Sequence, residues 1–233
     1  MAYWFGGSGN FSDAAHWSNN SGNVPASLLG HAPTSSDDAV FDTLSNATAY
    51  TVTVDATVNC SNCTIGNPLS GVLTFTGGST LNIFGNLSTA AGVLATYLGN
   101  LTMAATSGTK TITSNSVVWA GSIIFNGIGG TFQLVDDFNL TRNVTLTNGS
   151  FDPNGKTFTM SGAIANQTIT GAFTFYNLSK IPSTPSKTDL LVLANDITIA
   201  NLFTINPGAT VTNRVLVQSN TVGTPRTITA ASI

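Results

Sequence analysis

The chain reads as an all-β protein: a parallel β-helix, or solenoid, with an atypical capping segment at its N-terminal end. Three observations predict this. Apolar residues alternate with Thr, Ser or Asn over short stretches through most of the sequence, the period-2 pattern of a strand with one buried face. Gly-Gly, Asn-Gly, Gly-Asn and Ser-Gly pairs separate these stretches and supply the positive φ angles that sharp corners need. Similar strand anchors then recur at intervals suited to stacked repeats.

From about Ala49 onward no helical pattern is visible. The segments "YTVTVDATV", "VLTFTGG", "TLNIFGNLS", "NLTMAAT", "TKTITS", "SIIFNG", "TFQLVDD", "NVTLTNG", "KTFTMSG", "FTFYNLS", "DITIANLFTI" and "ATVTN" follow one another as strands. The anchors are "LTF" at 73–75, "LTM" at 101–103, "IIF" at 123–125, "VTL" at 144–146, "FTF" at 173–175 and "LFT" at 202–204. Their spacings are about 28, 22, 21, 29 and 29 residues. A turn of a solenoid fits some 21 residues, and the longer intervals would hold loops such as "SKIPSTPSKTD" at 179–189. Each coil buries its apolar face only by stacking on its neighbours. An antiparallel β-sandwich also uses short strands at close spacing and is the alternative architecture. The solenoid is preferred because the anchors recur as a set.

Residues 1–45 differ in kind. They hold Trp4 and Trp17, both histidines and four of the ten aspartates. A solenoid's first coil exposes an apolar end that needs covering, so 1–45 is read as a cap or attachment segment and 46–233 as the solenoid. The sequence stops at "RTITAASI", in strand-like text. This end is expected to be covered by a partner or to continue into further coils.

Charged residues make up only 7% of the chain, glutamate is absent, and the net charge is −3. Such a surface offers no field for nucleic acid or an anionic membrane, so no nucleic-acid partner is expected. No apolar run of 18 residues occurs, so no membrane insertion is expected. Cys60 and Cys63 form a lone C-x-x-C in strand text, without nearby histidines or a following helix, and are read as small core residues.

The opening "YWFGGSGNFSDAAHWS", followed by "VPASLLGHAPTSSDDAVFD", resembles the start of bacteriophage virion-associated proteins of the tail fibre or spike kind. Related openings occur in secreted bacterial β-helix proteins. Trp4, Gly6, Gly7, Gly9, Asn10, Asp13, Trp17, Asp37, Asp38, Phe41 and Asp42 fit the pattern W-x-G-G-x-G-N-(W/F)-x-D … D-D-x-x-F-D, with Phe11 where tryptophan is usual. "NVTLTNGSFDPNGKTFTMSG" resembles the L-T-L-T-N-G-x-F-D-x-N-G rung of such proteins through Phe151, Asp152, Asn154 and Gly155. The resemblance covers most of the chain, loosely after residue 160. It implies a parallel β-helix, a place in a virion appendage, and a homotrimer beside other virion proteins. Secreted relatives carry a signal peptide before the opening tryptophan. Here only Met-Ala-Tyr precede it, which favours a virion protein assembled in the host cytoplasm over a cell-surface or extracellular one.

Chemistry is sparse. Glycoside hydrolysis usually needs two carboxylates about 5–9.5 Å apart. Asp136 and Asp137 are adjacent on an expected strand and would face opposite ways, while Asp152 suits an Asx turn before Pro-Asn-Gly. The chain is therefore expected not to be an enzyme. "SSDDAVFD" offers carboxylates to Ca²⁺ but lacks the spacing of a calcium loop, so no cofactor is expected. Tyr97, Trp119 and Tyr176 are candidate sugar-stacking aromatics if exposed and core residues otherwise.

The functional expectation is a structural β-solenoid component of a phage tail fibre, spike or other virion fibre, with host-surface glycan as a further contact. The alternatives are a bacterial surface adhesin or secreted passenger domain, and a polysaccharide-binding or -degrading tailspike.

Overall fold

The computed structural model describes residues 1–162, 166–182, 188–206 and 214–233. The expected strand "ATVTN" lies at 209–213, outside the described residues. Among those described, the only helical turns are the short 3-10 segments Ala14–His16 and Ser21–Asn23. The rest is strand and turn, wound as a parallel β-solenoid.

Strand pairing resolves into three faces. On the first, Ala2 lies beside Ala39, and Ala39, Cys63, Leu87, Ile112 and Leu134 follow as successive neighbours. On the second, the row runs Val58, Leu81, Leu101, Ile123, Val144, Ile169, Leu193 and Ser219. On the third, Gly9, Val52 and Phe75 are neighbours in turn, and further along so are Trp119, Leu140, Met160, Lys180 and Ile205. All these ladders are parallel. Among the described residues the one antiparallel ladder joins Ala2–Trp4 to Trp17–Ser18, within the opening segment. The sandwich alternative is thereby excluded.

Where one face bends into the next without a turn, a single strand covers both. Ser122–Leu134 pairs through 122–125 with Asn100–Met103 and through 130–134 with Gly108–Thr113, and its register against Val144–Asp152 shifts between these halves. Gly127 sits at this bend. A Cβ there would stand 1.8 Å from the carbonyl oxygen of Ala105 in the preceding coil, so only glycine lets the two coils approach this closely.

Alternation decides which side chains enter the core. Tyr50–Val54 buries Tyr50, Val52 and Val54 while Thr51 and Thr53 remain partly exposed. Inside, rings from successive coils touch. Trp17 meets Phe41 at 5.4 Å, Phe41 meets Phe75 at 5.9 Å, and Phe75 meets Tyr97 at 5.8 Å. Further along, Phe125, Phe151 and Phe173 follow at 5.2 and 5.4 Å. Such edge and tilted ring pairs add to the burial of apolar area that drives folding.

The recurring anchors do not mark one face. Residues 101–103, 123–125 and 144–146 are true neighbours on the second face. Residues 73–75 belong to the third, beside Tyr50–Val54, and 202–204 pair with 177–179. The coil repeat is better read from hydrogen bonds between coils, which beyond the opening segment include links between residues 19 to 31 apart. At the C-terminal end, Arg214–Ser219 and Ile228–Ser232 each pair on one side, with Thr188–Leu193 and Ile197–Ile205. Among the described residues no strand pairs with their outer edges.

Candidate functional sites: the N-terminal cap, the polar ladders and the core cysteines

The cap assembles nearly every residue of the opening motif. Trp4 is fully buried and its indole N–H donates to the carbonyl of Gly7 at 2.9 Å. Gly6 and Gly7 both hold φ at +86°, a left-handed conformation that folds the chain back toward Trp4. His16 stacks on Trp4, and its Nδ1 lies 2.9 Å from the carbonyl of Phe5. Gly9 makes this stack fit, because a Cβ there would stand 2.2 Å from His16 Nε2. Asp13 caps the turn that presents His16, accepting from the amide of Ala15 at 2.9 Å. Trp17 donates its indole N–H to the carbonyl of Phe11 at 2.8 Å. Asn10 is exposed, beside Thr53 in register. Residues 1–45 also enter the sheets of the solenoid, since Ala39–Phe41 pairs with Cys63–Ile65. The opening segment is thus both a cap and the first coil.

The three aspartates of "SSDDAVFD" serve three separate turns. Asp37 accepts from the Thr34 hydroxyl at 2.6 Å and the Thr34 amide at 3.0 Å, and these bonds hold its carboxyl below the usual range. Asp42 accepts from the Ser21 hydroxyl at 2.5 Å and the Leu44 amide at 2.9 Å. Asp38 reaches the next coil, accepting from the Asn62 amide at 3.0 Å and the Asn62 side chain at 2.7 Å. Burial pushes the Asp38 carboxyl up, yet the bonds from Asn62 and Ser61 outweigh it and the group sits below its ordinary value.

Asp38 starts a ladder. Asn62 Oδ1 accepts from the Asn86 amide at 2.8 Å, and Asn86 Oδ1 accepts from the Thr111 amide at 2.8 Å. Each step advances 24, 24 and 25 residues, one coil at a time. Comparable side-chain rungs join Asn59 to Asn82, Asn126 to Asn148, and Asn177 to Asn201. At corners where strands end, backbone donors lose their ladder partners, and a short amide or carboxylate from an adjacent coil replaces them.

Three aspartates further along behave alike. Asp136 and Asp137 lie in a turn, which corrects their expected placement on a strand. Asp136 accepts from the amides of Ser114 and Asn115, at 2.8 and 2.5 Å, and Asp137 from the amide of Thr157 at 2.8 Å. Asp152 forms the Asx turn, accepting from the Asn154 amide at 2.9 Å, and also takes the Gln133 side-chain N–H at 2.7 Å. Asn154 and Gly155 hold φ at +46° and +71° to close that turn, and half-buried Phe151 packs against Phe125. Among the described residues, no three His, Cys or Asp side chains gather where a metal ion could be held.

Of the three candidate sugar-stacking aromatics, Tyr97 and Trp119 are buried and Tyr176 is 38% exposed. Stacking by the first two is excluded. Tyr97 instead accepts from the Leu81 amide at 3.0 Å and faces the carbonyls of Ser79 and Asn100 at 2.6 and 2.8 Å. Cys60 and Cys63 are free thiols, both fully buried, on the second and first faces of one coil. Their mutual hydrogen bond, with burial, raises the Cys60 thiol well above its ordinary range.

One polar cluster is absent from the sequence reading. Lys180 and Asp189 stand at the two ends of the segment taken for a loop, whose residues 183–187 lie outside the described ones. Both side chains are fully buried, with Gln167 beside them. The alternation carried the signal: Lys180 shares parity with Leu178, and Asp189 with Leu191 and Leu193.

No helix among the described residues is long and apolar enough to cross a membrane. Comparison with protein-family models, with curated proteins and with solved structures finds no match. What the chain itself displays is a structural β-solenoid.

Proposed function

We propose that this solenoid is a rod segment of a bacteriophage appendage, a tail fibre, spike or other virion fibre, whose work is mechanical and not enzymatic. The observation that carries this reading is the use to which the polar side chains are put. Asp37, Asp38, Asp42, Asp136, Asp137 and Asp152 each accept hydrogen bonds that fix a corner or join one coil to the next. A chain that spends its carboxylates on rungs gains stiffness along its axis, the property a projecting fibre needs. The opening motif supports the virion assignment through its resemblance to phage virion-associated proteins, and the same resemblance supports a homotrimer. Neutral Thr and Asn on the outward positions limit nonspecific adhesion during diffusion to a host.

The test is made on particles. Mass spectrometry of purified virions, with gold-labelled antibody raised against this chain, is expected to detect the polypeptide and decorate an appendage. Absence of the chain from virions would overturn the virion reading. Release of new reducing ends or unsaturated sugars from host polysaccharide by the purified protein would overturn the non-enzymatic one.

A further inference from the structure

In a core that is otherwise mostly apolar, the side chains of Lys180, Gln167 and Asp189 are fully buried together. Lys180 lies on Thr174–Ile181, Asp189 on Thr188–Leu193 and Gln167 on Asn166–Thr170. Gln167 pairs in register with Leu191, two residues from Asp189. The ammonium of Lys180 is in direct contact with the amide oxygen Oε1 of Gln167 and lies 3.3 Å from the carbonyl of Ile181. The Asp189 carboxylate stands 3.7 Å away. The amide nitrogen of Gln167 donates to the carbonyls of Arg142 and Ser161, both at 3.2 Å.

These are the parts of an acyl-transfer reaction, held out of water. A lysine amine is a nucleophile only when neutral, and burial lowers the tendency of the Lys180 amine to hold its proton, although Asp189 partly restores it. A primary amide is an electrophile once its leaving nitrogen can be protonated. The carbonyls of Arg142 and Ser161 sit where that nitrogen would gain positive charge. A carboxylate within reach of the amine can carry the protons. A buried Lys–Asp pair as such adds little net stability, because desolvation offsets the attraction.

We propose that Lys180 and Gln167 join in an intramolecular isopeptide bond, formed in the folded chain with Asp189 as the proton carrier. Asp189 first takes one proton from the Lys180 ammonium. The freed electron pair on Nζ forms a bond to Cδ of Gln167, and the carbonyl π pair moves onto Oε1. Asp189 returns its proton to Nε2 and takes a second one from Nζ. The oxyanion collapses, the Cδ–Nε2 bond breaks, and ammonia departs, leaving with the proton that Asp189 then holds as ammonium. Nothing is oxidised or reduced, and no co-reactant is consumed. The product fastens one strand of a coil to another across 13 residues of chain.

Trypsin digestion of the purified full chain followed by tandem mass spectrometry tests this. Acylated Lys180 is not a trypsin site, so the expected product is the peptide 157–187, uncut after Lys180, lighter by one ammonia and silent to fragmentation between Gln167 and Lys180. The peptide contains no Asn-Gly sequence, which removes succinimide formation there as a source of the same mass loss. Asp189→Asn, with its β-sheet circular dichroism retained, is expected to restore cleavage after Lys180. If that variant fails to fold, the wild-type peptide alone decides. Ordinary cleavage after Lys180 at the unmodified mass would overturn the proposal. A product joining 157–187 to 188–214 with loss of one water would overturn it equally, because Asp189 would then be the acceptor.

Discussion

The imidazole of His16 lies flat on the indole of Trp4, with ring centroids 4.5 Å apart and 3° between their planes. The stack covers the end of the solenoid core, since Trp4 also packs edge-on against Trp17 at 5.2 Å. It exists because Gly9 carries no side chain where His16 Nε2 passes. Gly9→Ala is therefore expected to displace His16 and to destabilise the fold by about 1–3 kcal/mol. Gly78 meets nothing within 4 Å and has no positive φ, so Gly78→Ala is expected to change stability by less than about 0.5 kcal/mol. Urea denaturation of the two variants checks the pair, and equal effects would contradict the stacked cap.

The ladder from Asp38 makes a prediction about coupling between coils. Asn62→Ala removes a donor to Asp38 and the acceptor of the Asn86 amide. Its expected cost is about 1–3 kcal/mol, the range for stranding partially buried polar groups. Asn86→Ala removes the next rung, to Thr111. The double variant should cost less than the sum of the singles, because Asn62 and Asn86 are consecutive members of one hydrogen-bonded chain. A strictly additive pair would show that the rungs act alone.

The same bonds fix the response to acid. Hydrogen bonds hold the carboxyls of Asp37, Asp38 and Asp55 below the ordinary value of 3.8 in the folded chain. For Asp38 and Asp55 these bonds prevail over burial, which acts in the opposite direction. Between the folded and unfolded values the unfolded chain binds more protons, so stability rises with pH there. The contribution is complete above the unfolded value and is lost as pH falls through the folded ones. The urea midpoint is expected to fall as pH is lowered from about 5 to about 2, and Asp38→Asn should shrink that fall. A midpoint indifferent to pH across this window would contradict the assignment.

The buried thiols predict silence. Cys60 and Cys63 are both fully buried, and the Cys60 thiol is raised by its neighbour and by burial, so neither sulfur is accessible to a reagent in the folded chain. A disulfide reagent should label the native protein only as fast as it unfolds, and both cysteines at once in denaturant. Rapid labelling of the folded chain would contradict the buried placement.

Much of the fold is legible in the sequence because each inward residue of a short strand has outward Thr, Ser or Asn beside it, as in Tyr50–Val54. The faces are less legible. All three carry the same kind of alternating text, so the anchor at 73–75 reads like the one at 101–103 although they lie on different faces. The cap motif is legible as a motif, but the dependence of Gly9 on His16 is not, because it joins two residues across a turn. Only Val135 separates Asp136 and Asp137 from the 13-residue strand Ser122–Leu134, so in the sequence the turn that holds them reads as its continuation. In the sequence Lys180 and Asp189 merge with the polar text between them, and only their parity with Leu178 and Leu191 reveals that they point inward.

The second face offers the most direct test of the winding itself. Asn59, Asn82, Thr102, Ile124 and Thr145 are successive parallel neighbours, and Gln218 extends the same face near the C-terminal end. Spin labels at 59 and 145 should lie about 19 Å apart, and at 59 and 218 about 34 Å apart, since each coil adds about 4.8 Å. Double electron–electron resonance that finds distance growing in proportion to coil number would match a parallel three-faced stack. A 59–218 distance no longer than the 59–145 distance would contradict it.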